Sequence, residues 1–384
     1  MNRNIVVLGL VSFFTDFATA MINPILPIFV VVILNQSMDK LGIIVAVATF
    51  VSYAVRLLSG YIADRFGIVK PLVVAGYVIS AISKPLIGFS DNYKSVAFLK
   101  AFERLGKAIR SAPKDYMISS FTKKKKYGKS FGFHKTLDIG GELGGTLTLF
   151  FILLYFSPTE QVIRNIFFLT IIPGIIGVIL VAFFVEDVPK VNKIKKVSFK
   201  LIEKDKETVK LLIFYFLFVF FIFNDAFFTV QAKEVGISIS IIPLLFVVLT
   251  AVQTATSYIF GLAIDKYGAK KILLFAYISG IISELLLLQE QPIYTWFAFA
   301  FLGLFTVSSL NANRAFIAKN AKNQGSVYGI FYSGVAVFGA IGAYIVGLIW
   351  NKFGMELSII FSLIGTSFIT LLFSIYILRN KNYG

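Results

Sequence analysis

The chain has 384 residues, of which 57% are apolar and 42 are Phe, and it contains no Cys. That composition leaves too little polar surface for a soluble domain of this length, and without Cys there is no disulfide or thiol chemistry. The formal net charge of +17 points first to basic cytoplasmic loops of a membrane protein rather than to nucleic acid.

The first long apolar run, from Ile5 to Leu34, carries a single charge, Asp16. It exceeds the about 20 residues that cross a bilayer core. It is too long for a signal-peptide core and has no small-residue cleavage site, so a retained first span is expected. Continuing along the chain, apolar runs separated by turn residues and charges predict twelve spans. They lie near 5–34, 41–62, 71–90, 95–118, 131–156, 162–185, 210–231, 238–263, 271–289, 292–318, 326–350 and 354–378. The predicted class is an all-α membrane protein.

Alternate connectors differ sharply in charge. One set holds Arg65 and Lys70, the run Lys123 to Lys126 with Lys129, eight Lys from Lys190 to Lys210, and Lys266, Lys270, Lys271, Lys319 and Lys322. The other set holds Lys40, Lys94, Arg164, Lys233 and Lys352. By the positive-inside rule both termini are cytoplasmic, in a multi-pass protein expected in the plasma membrane. The four-Lys run at 123–126 is expected to be a cytoplasmic loop, with contact to anionic lipid headgroups as the alternative. The polar stretch after the sixth span suggests a cytoplasmic linker at 187–209, with room for a short amphipathic helix on the membrane surface. It would separate an N-terminal six-helix bundle, 1–186, from a C-terminal one, 210–384.

The two halves repeat. "GYIADRFGIVK" at 60–70 returns as "GLAIDKYGAKK" at 261–271, "KDYMIS" at 114–119 as "RAFIAK" at 314–319, and "FGF" at 131–133 as "YGI" at 328–330. Duplicated six-span units are typical of secondary transporters, with a substrate site near the membrane midplane at the repeat interface. The pattern G-x-x-A-D-R-x-G-x-x-K resembles the signature loop of the major facilitator superfamily, and the second copy resembles its degenerate echo. That resemblance implies a cytoplasmic gate made by Gly60, Asp64, Arg65, Gly67, Lys70, Asp115, Gly261, Asp265 and Gly268. In it Gly60 permits close helix approach and Gly67 a tight turn. Asp64 would sit at the N-terminus of span eleven, and Arg65 would pair with Asp115. "GLVSFFTDFATAMINPILPIF", "RLLSGYIADRFG", "ERLGKAIRSAPKDYMI" and "FGFHKTLDIGG" further resemble a prokaryotic branch often labelled as efflux permeases. Lys114 and Lys135 stand where that branch has Arg, and Ser111 where it has Thr.

Span four is unusually charged. Lys100, Glu103, Arg104, Lys107, Arg110 and Lys114 fall within an arc of about 120° on one helical face. An ionised side chain at mid-bilayer costs on the order of 3 kcal/mol, so this face must meet protein or a wet cavity. Span five carries His134, Asp138 and Glu142, also four apart and on one stripe. The antiparallel run of the two spans predicts that Arg110 or Lys107 meets Asp138. Arg56 and Lys84 add cations in spans two and three, and Asn224, Asp225 and Glu284 add polar groups in the second half. At the place echoing His134, Asp138 and Glu142, span eleven has Phe331, Val335 and Gly339, so the polar chemistry is concentrated in the first half.

Two roles compete for these charges: salt bridges that fasten helices together, and a proton relay or substrate site. The proton-coupling candidates are Asp16, Glu103, Asp138, Glu142, His134 and Asp225. The substrate-cavity candidates are Arg56, Lys84, Lys100, Arg104, Lys107 and Arg110. The proton is the expected coupling ion and no cofactor or metal is expected. Lys100-Ala-Phe-Glu-Arg104 departs from the span-four R-x-x-x-G of exporters, and Thr146 replaces the Pro of their span-five G-x-x-x-G-P, although Gly141 and Gly145 remain.

The expected function is therefore a secondary active transporter working by alternating access, in proton-coupled export of a small molecule. The alternative is an importer or exchanger of a phosphate- or carboxylate-bearing metabolite, drawn in by the basic face of span four. A non-transporting membrane sensor is the alternative of another class. No nucleotide loop and no H-E-x-x-H motif occur, so an enzyme is not expected. The expected partners are a small-molecule substrate and membrane lipids, without nucleic acid, and the chain is expected to be a monomer.

Overall fold

The computed structural model describes residues 2–66, 68–122, 127–188, 203–289 and 291–379, without the side chains of 56–66, 127–128 and 203–204. The described residues are almost entirely helical. The helices are α1 (Arg3–Ile22), α2 (Leu26–Ile28), α3 (Met38–Phe66), α4 (Lys70–Leu86), α5 (Tyr93–Ser120), α6 (Tyr127–Tyr155), α7 (Glu160–Leu169) and α8 (Ile171–Phe184). They continue as α9 (Glu203–Phe221), α10 (Asp225–Glu234), α11 (Ile242–Tyr267), α12 (Ala269–Leu287), α13 (Pro292–Asn320), α14 (Gln324–Phe353) and α15 (Met355–Arg379). Among the described residues ten helical stretches are long and apolar enough to cross a membrane. Helices α5 and α12 have the length of a crossing but carry more charge, and with them the order matches the twelve predicted spans.

Some spans are broken, and the sequence explains where. Span one stops at Ile22, before Pro24, which has no N–H and crowds the preceding turn. It resumes in α2 and a π-helical turn over Phe29–Ile33. Span seven stops at Phe221 and resumes at Asp225, where the Asn224 side chain caps α10 by accepting the Ala226 N–H at 3.0 Å. Asn23 and Asn224 lie 201 positions apart, the same offset as Gly60 and Gly261. The duplication thus extends to the interrupted helices.

The chain forms two compact units. One comprises Met1–Gln36, Val47–Lys195 and Ile239–Leu244; the other comprises Ser37–Ala46, Lys196–Ser238 and Leu245–Gly384. In the first unit α1 packs along α6 and α8, and α4 along α5 and α8. Its core includes Leu8, Val11, Val73, Tyr77, Met117, Ile118 and Val181. A Cβ on Gly141 or Gly145 would run into the carbonyl of Phe13 or Phe17, so these glycines let α6 lie directly on α1. Asn4 and Glu186 bond reciprocally, side chain to side chain at 3.0 Å and Glu186 N–H to Asn4 Oδ1 at 3.1 Å, tying the end of span six to the start of span one. In the second unit α12 packs on α13 and α15, and α9 on α14 and α15. The linker residues 189–202 and the Lys123–Lys126 run lie outside the described residues.

Candidate functional site

The charged face of span four is folded inward, against α1, α4 and α6 of the first unit. Helix α5 begins cleanly because Asn92 accepts the N–H groups of Lys94 and Ser95 at 3.0 and 3.1 Å. From there its polar face meets a succession of partners.

Near the start of that face, Glu103 is 1% exposed and Lys100 5%. Glu103 Oε2 lies 3.1 Å from Lys100 Nζ and 3.4 Å from Arg104 Nε. Lys100 Nζ also donates to Asn23 Oδ1 at 3.3 Å, at the break in span one. Lys84, 1% exposed, donates from α4 to Ser80 Oγ at 3.0 Å and lies within the electrostatic reach of Glu103. A charge this deeply buried is tolerable only beside counter-charges and hydrogen bonds. Glu103 therefore acts as the shared counter-ion of three cations from two helices.

One turn further in, Lys107 makes no ion pair with a described carboxylate. The half-buried Asp16 of α1 is the acid that acts on it most strongly. Arg110 turns instead to α4. Its Nη1 donates to the Gly76 carbonyl at 3.3 Å, and its guanidinium stacks 4.4 Å over the Tyr77 ring. Gly76 and Gly106 permit this approach, since a Cβ on Gly106 would come within 2.6 Å of the Gly76 carbonyl oxygen.

The C-terminal end of the face forms a chain of polar contacts. Lys114 Nζ donates to Ser12 Oγ at 3.0 Å, Ser12 Oγ lies 2.9 Å from His134 Nε2, and His134 Nδ1 lies 3.4 Å from Asp138 Oδ1. Tyr77 Oη is 3.4 Å from the same Ser12 oxygen. With His134 neutral and protonated on Nδ1, Lys114 donates to Ser12 and Ser12 to His134, and the Nδ1–H side of the ring faces Asp138 at 3.4 Å. With His134 doubly protonated, Ser12 accepts from both Lys114 and His134 and turns its own proton toward Tyr77. The serine rotor thus accommodates both charge states of the imidazole.

The expected meeting of Arg110 or Lys107 with Asp138 is not what the fold builds. Arg110 is held on Gly76 and Tyr77, and the partner of Asp138 is His134, one turn away on its own helix. Glu142, one turn further along α6, is half-buried. Asp225 is the first residue of α10, beside the break in span seven. Ser12, Asn23 and Tyr77 belong to the constellation although sequence reasoning did not single them out. Lys114, seen only as part of the charged face, is its link to α1.

The gate residues are placed less completely. The side chains of Arg56, Asp64 and Arg65, everything beyond the helical backbone at Gly60, and all of Gly67 lie outside the described residues, and with them the expected pairing to Asp115. Asp115 is exposed near the inner end of α5. Lys70 opens α4, its N–H donating to Asp187 Oδ1 at 3.4 Å. In the second copy Gly268 has φ +87°, a conformation glycine adopts freely, at the turn between α11 and α12. A Cβ on Gly261 would meet open space, so no close approach requires glycine there. Gly261 and Asp265 line a cavity of about 460 Å³ between α11 and α13, with Ser257, Tyr258, Asn311 and Arg314. No group of His, Cys, Asp and Glu suited to a metal occurs among the described residues.

Comparison with known proteins places this architecture. The Major Facilitator Superfamily model matches residues 8–231 and again 211–383. An uncharacterized MFS-type transporter of Methanocaldococcus jannaschii, MJ1317, is 30% identical over 369 residues, covering 91% of this chain and 89% of that protein. Among solved structures, a POT family transporter in complex with a thioalcohol-conjugated peptide superposes with a TM-score of 0.79 at 13% identity, covering 98% of this chain and 96% of that one. The xylose transporter XylE from E. coli superposes at 0.72 with 15% identity, covering 98% and 97%. With two matched repeats, a relative along nearly the whole length and the shared helical fold, this chain belongs to the Major Facilitator Superfamily and is a multi-pass membrane transporter, not an enzyme.

Proposed function

We propose that this transporter is a secondary active carrier that works by alternating access and exports a small anionic molecule in exchange for protons. One observation carries the substrate class. Among the described side chains in the charged core of the first unit, Lys84, Lys100, Arg104, Lys107, Arg110 and Lys114 outnumber Asp16, Glu103, Asp138 and Glu142, and Lys107 has no described carboxylate at ion-pair distance. An excess of cations in a low-dielectric setting attracts an anion, and a bound carboxylate or phosphate group would supply the missing counter-charge. Arg104, with 24% of its side chain exposed and only a shared contact to Glu103, is the second group of this anion site.

Proton coupling is assigned to the Lys114–Ser12–His134–Asp138 chain, with Asp16 as the acid that acts most strongly on Lys107. Histidine titrates near neutrality in its unperturbed state, and the Ser12 rotor supports both of its charge states. Export rests on the resemblance to the efflux-permease branch. On this reading the protein works as a monomer in the plasma membrane, with both termini cytoplasmic and no cofactor. The names of the structural neighbours, a nucleoside transporter, a POT family peptide transporter and a xylose transporter, span several substrate classes and do not choose among them.

The test is a melting-shift screen of the purified protein, followed by flux in proteoliposomes. Organic anions and phosphorylated metabolites are set against lipophilic cations. Stabilisation by an anion, lost in Lys107→Ala and Arg104→Ala but kept in the surface variant Lys319→Ala, supports the reading. Stabilisation by lipophilic cations that survives Lys107→Ala overturns it. Anion flux that runs inward with an inward proton gradient would favour import, the second reading that the same excess of cations supports.

A further inference from the structure

The charged core of the first unit leaves one deeply buried acid of the second unit unused. Glu284, on α12, is 0% exposed. Its Oε1 accepts the Phe223 N–H at 3.2 Å, and its Oε2 lies 2.7 Å from Thr366 Oγ1 on α15. Phe223 sits in the break of span seven. The last turn before it closes with the Ile222 N–H on the Phe218 carbonyl, so the Phe223 N–H is the first that the interrupted helix leaves to another acceptor. Ser362, one turn from Thr366, donates to the carbonyl of Phe221, the last residue of α9 before the break. The break is therefore held by two side chains from α12 and α15, and Glu284 is the ionisable one.

No described Lys, Arg or His lies at ion-pair distance from Glu284. One turn back on α12, Gly280 is closed over by Phe218 of α9 and by Ile222 just past its end; Lys206 and Lys210 are toward the far end of α9. On α12 the nearest titratable group is Tyr277, buried and without a hydrogen-bond partner, and Lys270 and Lys271 are at the helix start. Helix α10 carries Asp225 at its first residue and Lys233 and Glu234 in its last turn. Helix α13 carries Arg314 and Lys319 toward its end, and α15 has Glu356 and Arg379 at its two ends.

We propose that Glu284 is a proton-binding site that latches the break in span seven. As a neutral acid it donates Oε2–H to Thr366 Oγ1. Thr366 in turn donates to the Ser362 carbonyl at 2.9 Å, while Oε1 keeps the Phe223 N–H. Every polar atom of the carboxyl group is then satisfied without a charge in an apolar wall. Loss of the proton leaves a carboxylate that the Phe223 N–H and a rotated Thr366 hydroxyl can still donate to, at the cost of the Thr366 bond to the Ser362 carbonyl and with no described cation beside it. Such a charge in an apolar wall is better solvated with the break open to water, so protonation of Glu284 and the closed form of span seven are linked. This site is independent of the proton path assigned to the first unit.

The experiment is infrared difference spectroscopy of the protein in lipid vesicles at neutral pH, combined with hydrogen exchange. Glu284→Gln keeps both hydrogen bonds and mimics the neutral acid. The expected result is the C=O stretch of an unionised carboxylic acid in the wild type, lost in Glu284→Gln, retained in Asp225→Asn and shifted in Thr366→Val. In the wild type, exchange over residues 222–225 should rise with pH beyond the intrinsic rate, and in Glu284→Gln it should not. Identical spectra of wild type and Glu284→Gln, or a band lost only in Asp225→Asn, would overturn the proposal. So would an exchange profile that Glu284→Gln leaves unchanged, or closure of the break that follows sodium rather than protons.

Discussion

Ser12 Oγ lies 2.9 Å from His134 Nε2 and 3.0 Å from Lys114 Nζ, so one hydroxyl joins α1, α5 and α6. Ser12→Ala removes the acceptor of a half-buried ammonium and the partner of a buried imidazole nitrogen. A buried polar group left unsatisfied costs about 1–3 kcal/mol. The variant should melt measurably lower than wild type in detergent, and its transport should lose the pH step assigned to His134. A Ser12→Ala protein with wild-type melting and an unchanged pH profile would remove the chain from both roles.

Asp16 is the acid that acts most strongly on Lys107 and stands apart from the Glu103 and Asp138 contacts. Asp16→Asn should leave the fold intact and flatten the dependence of transport on pH. Rates across a pH series in proteoliposomes check this, and a profile superposable on wild type would exclude Asp16 from the proton path.

Glu103 separates the fastening role of the buried charges from the transport role. Removing one partner of a buried ion pair costs about 3–5 kcal/mol, so Glu103→Gln should strongly destabilise the protein by stranding Lys100. Replacing both, as Glu103→Gln with Lys100→Met, should recover most of the loss. Unfolding in denaturant measures both variants. Failure of the double variant to recover would mean that Glu103 is held chiefly by Arg104 or Lys84.

Gly106 sets the distance between α4 and α5. Gly106→Leu should force the helices apart, at about 1–3 kcal/mol for overpacking, and break the Arg110 bond to the Gly76 carbonyl. A lower melting temperature is expected, and the same change at the open Gly261 should leave the melting temperature unaltered.

The signature loop gives a prediction that rests on sequence. Asp64→Asn should impair transport while membrane insertion, judged by yield and by a monodisperse elution profile, stays normal. Wild-type flux would count against the gate assignment.

Much of this architecture was legible in the chain itself. Apolar run length sets the number of crossings because the bilayer has a fixed thickness, and the repeat from Gly60 to Gly261 sets their grouping into two halves. The 3.6-residue period puts Lys100, Glu103, Arg104, Lys107, Arg110 and Lys114 on one face, and the cost of charge in lipid turns that face inward. Periodicity orders residues around a single helix but says nothing of the rotation and depth at which a second helix arrives.

Those were decided by tertiary packing. Gly76 against Gly106 draws α4 so close that Arg110 finds the Gly76 carbonyl and the Tyr77 ring before it can reach Asp138. Gly141 and Gly145 seat α6 on α1, and that contact brings Ser12 to His134. The second break, at Phe223, acquires its meaning only from Glu284 and Ser362, which lie far away in sequence and reach it from two other helices. Hydrophobic pattern determines which groups must leave the lipid; close backbone approach at small residues determines which partners they meet.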